Sequence, residues 1–159
     1  MIFHYNTFIF MLHKILFFCH NIFMFKKFLM CGLTGWCMEV LWTGMGSAIK
    51  KDKKMTSITS IWMFPIYGCA VIIEPLSKKL CKRKTHVVLR GTIYALMIFA
   101  TEFLSGSLLK KRECCPWDYS KAKLNIKGLI RLDYFPAWFA AGLIYEKMFA
   151  DIGKKSLGN

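Results

Sequence analysis

Four apolar stretches of about bilayer length, separated by short blocks of lysine and arginine, constrain this chain more than any other feature. A hydrocarbon core of about 30 Å takes roughly 20 residues of helix, and the windows 29–49, 58–76, 87–109 and 129–149 each supply that length. Between them lie Lys50, Lys51, Lys53 and Lys54, then Lys78, Lys79, Lys82, Arg83 and Lys84, then Lys110, Lys111 and Arg112. Basic residues placed this way anchor helix ends in lipid headgroups. At 55% hydrophobic and 20% charged, the chain is too apolar for a soluble or disordered domain. The net charge of +14 is spent in these blocks, so nucleic acid is not the expected partner. Seven cysteines, odd in number and mostly inside apolar runs, do not make a disulfide framework.

The expected fold is therefore an all-α integral membrane protein, a four-helix transmembrane bundle over residues 28–149 with a polar tail at 150–159. The lipid bilayer is its first partner, and the plasma membrane its expected location. Residues 1–27 carry His4, His13, Lys14, His20 and Asn21 within an apolar run and lack the basic start and cleavage site of a signal peptide. They read as an extra hydrophobic helix, a spurious extension, or the prelude to a true start near Met24. In the third connection, Lys110 to Ile130, the moderately amphipathic stretch Leu124 to Leu132 suggests a short interfacial helix. Counted over four spans from Phe28, Lys and Arg divide eleven to each side with Arg90 inside a span, so the count sets no orientation. The compact Lys78–Lys84 block places the second connection and the C-terminus together, on the cytoplasmic side.

Ionisable residues at membrane depth cost about 2.5 to 3.5 kcal/mol each on insertion scales, so each one calls for a reason. Counting from span centres puts Arg90, Glu74 and Glu146 at one level, where a structural ion pair is expected. Glu39 and Glu102 fall in the middle and toward the opposite side, without a basic residue in the spans to pair with. An acid so placed needs a water-filled cavity, a proton or a cationic ligand. Gly32, Gly35, Glu39, Trp42 and Gly46 share one helical face, which points Glu39 into the bundle; Glu102 shares a face with Ser105 and Gly106, and Glu146 with Gly142 and Trp138. Pro65 is expected to kink or break the second span.

Other chemistry finds no support. Gly153-Lys154 lacks the rest of a phosphate-binding loop, so the chain is not itself an ATPase. No zinc spacing, nucleophile set or cofactor motif is present, and neither enzyme activity nor a metal or cofactor is expected.

The segments Gly35-Trp36-Cys37-Met38-Glu39-Val40, Pro65-Ile66-Tyr67-Gly68, Glu102-Phe103-Leu104-Ser105-Gly106, Trp117-Asp118-Tyr119-Ser120 and Gly128-Leu129-Ile130 resemble, in order, the CmpB-type ABC-transporter permease family and its animal relatives, the transmembrane protein 229 proteins. The likeness runs from about Phe28 to Met148. It is closest to the animal branch at Cys115 to Ser120, Leu132-Asp133-Tyr134 and Leu143 to Glu146. The resemblance implies a multi-pass membrane protein with a permease role, and a separate ATPase subunit to drive it. The expected site is Glu39 and Glu102 with Trp36 and Trp42 beside them, closed by the loop Trp117, Asp118, Tyr119 and Ser120. A membrane scaffold or lipid-binding partner, with the glutamates as interhelical links, is the alternative, and either fits a homo-oligomer.

Overall fold

The computed structural model describes the backbone of residues 2–157 and the side chains of residues 22–154. The side chains of His4, His13, Lys14, His20 and Asn21 lie outside the described residues. The chain is mostly helical. Helix α1 runs without a break over Ile2–Ile49, 48 residues, or about 72 Å at 1.5 Å per residue. Helix α2 (Met63–Gly68), a 3-10 turn (Cys69–Ile72) and α3 (Ile73–Lys82) follow as one right-handed path. Helix α4 covers Val87–Lys111, a two-stranded hairpin pairs β1 (Asn125–Ile126) with β2 (Ile130–Arg131), and a 3-10 turn (Leu132–Tyr134) leads into α5 (Phe135–Leu157).

Helix α1 runs antiparallel to α2, and α4 to α5. Along α1, Phe28 meets Gly68, Gly35 meets Tyr67 and Glu39 meets Thr59, so partner numbers fall as α1 advances. The same reversal joins α4 to α5, from Arg90–Glu146 to Tyr94–Gly142. Gly35, Gly91 and Gly142 set the spacing, because each receives an aromatic side chain from the facing helix. A Cβ on Gly35 would lie 2.3 Å from the Tyr67 ring, one on Gly91 2.3 Å from Phe139, and one on Gly142 2.4 Å from Tyr94. Around these contacts Cys31, Ile73, Tyr94, Tyr145 and Phe149 form the buried core, tied by the Tyr145 hydroxyl donating to the Cys31 carbonyl at 3.2 Å.

Three expectations change. The second window does not begin as helix at residue 58: residues 55–60 form no regular element and helix starts at Met63. Pro65 is not the break either, since it sits in the first turn of α2, where an absent N–H leaves no bond unmade. The tightening comes at Cys69–Ile72, just ahead of Pro75. Pro75 has no N–H to return to the Val71 carbonyl, and its ring crowds that turn. Finally, Leu124 to Leu132 is not a helix. Lys127 and Gly128 both take positive φ, 53° and 68°, the Leu129 amide closes on the Ile126 carbonyl at 3.0 Å, and Asn125 Oδ1 accepts from the Gly128 amide at 2.9 Å. Two adjacent residues with positive φ make the tight turn that a hairpin requires and a helix forbids.

The outer surface is apolar. Leu89, Leu96, Leu104 and Leu108 on α4 are all exposed, whereas Gly91, Tyr94, Ala95, Phe99, Glu102 and Gly106 on the same helix are buried. Among the described residues one helix, α4, is long and apolar enough to cross a membrane by length and composition. The other expected spans are interrupted, as at the 3-10 turn, or diluted by glycine, threonine and charged residues.

Candidate functional site

Glu39 and Glu102 line one cavity of about 490 Å³ enclosed by α1, α2, α4, α5 and the third connection. They occupy different positions in it. Glu39 is half-buried near the end of the cavity at residues 58–60, where its Oε2 accepts from the Thr59 hydroxyl at 2.5 Å. Glu102 is 7% exposed, and among the described residues its Oε2 has no hydrogen-bond partner. The Tyr119 and Trp138 side chains lie beside its carboxyl group. Nε1 of Trp138 is likewise buried and without a partner.

The wall is aromatic. Trp42 packs edge-to-face on Tyr134 at 5.7 Å between centroids, Tyr119 on Tyr134 at 5.8 Å, and Tyr134 on Trp138 at 6.3 Å. Trp42 remains 49% exposed, so the cavity opens beside it. Trp36 does not belong to this wall. Its indole donates to the Ser60 carbonyl at 3.1 Å and its ring stands edgewise on Phe64 at 5.2 Å. Three residues along a helix leave it about 60° off the Glu39 direction, enough to turn it onto α2.

The third connection supplies part of the enclosure. The Trp117 indole donates to the Leu129 carbonyl at 2.9 Å and the Tyr119 amide to the Gly128 carbonyl at 2.8 Å. Those two bonds hold the motif against the hairpin, with Trp117 and Tyr119 in the cavity wall. Asp118 Oδ1 accepts from the Ser120 amide at 3.0 Å and from the Ser120 hydroxyl. Both donors favour the carboxylate and hold the Asp118 acid below its usual range. Burial, and then the nearby Glu102 carboxyl, push the Tyr119 hydroxyl above its usual range and keep it a neutral donor. Gly106 makes room for the Trp117 ring, which would lie 2.9 Å from a Cβ there.

The other acids gather at the far end of the bundle in two separate clusters. Arg90 grips Glu146 with two bonds, Nε at 2.9 Å and Nη2 at 3.0 Å, while the Tyr94 hydroxyl donates to Glu146 at 2.5 Å. Glu74, expected at the same level, is not part of that pair. It bonds Lys27 at 2.5 Å and Lys78 at 2.8 Å. Lys27, which the residue order sets ahead of the first span, is 5% exposed and its Nζ lies 4.0 Å from the Phe23 ring centroid. The i, i+4 spacing of Glu74 and Lys78 was a sequence signal for half of this cluster; the contact with Lys27, 47 residues away, required the fold. Tyr67, Tyr134 and Thr59 also join the cavity without any spacing that announces them.

Set beside known proteins, the chain matches one family over residues 26–158, that described as "Putative ABC-transporter type IV". The chain belongs to this family, which associates it with a membrane and with transport. No solved structure matches it.

Proposed function

We propose that the chain is a multi-pass membrane protein of the plasma membrane and acts as the permease-type subunit of a transporter, with the Glu39–Glu102 cavity as its solute site. The observation that carries this reading is a buried carboxyl group, its Oε2 without a hydrogen-bond partner among the described residues, in an aromatic-walled space large enough for a small molecule. The surface supports the membrane setting, because the exposed leucines of α4 would cost free energy in water and none in lipid. α1, the α2–α3 path and α5 then cross beside α4. The chain performs no chemistry of its own, and an ATPase subunit supplies the energy. The four residues 83–86 between α3 and α4 would be the contact for that subunit, as they include Arg83 and Lys84 and lie beside the Arg90 cluster.

A scaffold or lipid-binding role is favoured by one observation, that Glu39, Glu74 and Glu146 all have partners. Untargeted mass spectrometry of small solutes in membrane vesicles bearing wild-type chain or Glu102→Gln distinguishes the two. A transporter subunit changes the vesicle content of at least one solute, and the variant loses that change while remaining folded. A scaffold leaves the content the same in both.

A further inference from the structure

We propose that this cavity binds an organic ammonium ion, with the charge seated on Glu102 and the alkyl substituents against the aromatic wall. The inference rests on the cavity being a ligand site and names the class of ligand. Size excludes a bare metal ion as the natural occupant, since about 490 Å³ falls in the range of small-molecule sites. Ligand count agrees: calcium takes six to eight oxygens and magnesium an octahedron, but among the described residues no group of three or more His, Cys, Asp and Glu comes together. Anions are excluded by the two carboxylates, with no lysine or arginine among the described residues lining the cavity. The guanidinium of Arg131 stands 4.3 Å from the Tyr134 ring centroid and is engaged by Asp133.

What remains is a cation that brings its own apolar surface. Trp42, Tyr119, Tyr134 and Trp138 are joined by three edge-to-face contacts, and such contacts turn a wall around corners rather than laying it flat. A ring face attracts an ammonium group, by about 2 kcal/mol or more where water is excluded. Glu102 Oε2 provides the formal charge and makes no hydrogen bond among the described residues. Glu39, held by Thr59 at the rim, adds a second negative charge along the way in.

The same chemistry exists in free alkylamines and in the choline headgroup of phospholipids, and one experiment separates them. Purified full-length protein in detergent is titrated calorimetrically with tetraethylammonium chloride, with sodium and magnesium chloride as controls. The titration is then repeated in nanodiscs of phosphatidylcholine and of phosphatidylglycerol. Saturable tetraethylammonium binding is expected, weakened at least about tenfold by Glu102→Gln, the loss of one buried charge-assisted contact. It should also weaken with Tyr134→Leu, which serves if the glutamate variant does not fold, and persist in Trp36→Phe, outside the cavity. Suppression of binding in phosphatidylcholine but not phosphatidylglycerol assigns the site to the headgroup; equal binding in both assigns it to a soluble amine. No saturable binding in any of these settings, equal affinity in Glu102→Gln or Tyr134→Leu, or equal occupancy by sodium or magnesium overturns the proposal. Binding without any solute difference in the vesicle experiment overturns transport alone. A Glu102-dependent solute change without ammonium binding overturns this inference alone.

Discussion

The buried and half-buried glutamates of this chain are held by different means, and the difference predicts how Glu146 and Glu39 respond to substitution. Glu146 has Arg90 on two oxygens and the Tyr94 hydroxyl besides, so removing the arginine strands a charge that the fold has already desolvated. Arg90→Met should lower stability by about 1 to 3 kcal/mol, less than for a fully buried pair because both side chains keep part of their exposure. The double variant Arg90→Met with Glu146→Leu should recover much of that loss, because no charge is then left buried. Denaturation in detergent, followed by loss of the folded fraction, reads both. Glu39 is the mild case. Its Thr59 bond survives in Glu39→Gln, so the folded protein should keep its thermal midpoint within a few degrees even where solute binding falls.

At the scale of elements, two features decide how the helices and the third connection sit. The Gly35 face admits the Tyr67 ring so closely that any side chain there displaces α2. Gly35→Leu should therefore cost about 1 to 3 kcal/mol or more through overpacking, seen as a lowered midpoint and lower yield. The same change at Gly46, which has nothing within 4 Å, should leave both unaltered. The Trp117–Ser120 motif depends on Asp118 as a charged acceptor. Its folded-state acid is held below the ordinary value of 3.8, so its contribution is complete above that value and fades as the pH falls through the lower folded one. Hydrogen exchange of the Ser120 amide should accelerate relative to neighbouring amides as the pH drops below 3.8. Asp118→Ala should show that faster relative exchange at neutral pH and lose the acid dependence. A motif unaffected by either would mean that Trp117 and the hairpin hold it alone.

For the whole molecule, the antiparallel order brings the Lys27–Glu74–Lys78 and Arg90–Glu146 clusters to one end and the acidic cavity to the other. The residues between α3 and α4 thus share an end with the late part of α5. Impermeant labels at a cysteine placed at Lys84 and at one placed after Lys155 should react from the same side of sealed vesicles, and one placed at Lys53 from the opposite side. Opposite reactivity of the first two would break the four-crossing arrangement, whichever way the protein faces.

Much of this was legible in the residue order, because it depends on patterns that a helix or a bilayer reads locally. The apolar windows, the basic blocks, the common face of Gly32, Gly35 and Glu39, and the isolation of Glu102 from any basic neighbour on its own helix all follow from spacing and composition. So did a family likeness that the match over residues 26–158 bears out. What depended on contacts far apart in the chain was decided only by the tertiary structure. Arg90 chose Glu146 and left Glu74 to Lys27, since ion pairing is settled by which helices face one another and not by depth alone. Leu124 to Leu132 turned back as a hairpin because Lys127 and Gly128 adopted positive φ and the Trp117 and Tyr119 bonds gave its backbone partners. The cavity wall is the clearest case: Trp42, Tyr119, Tyr134 and Trp138 come from three separate segments, and no periodicity within one segment can specify a surface that three must meet to form.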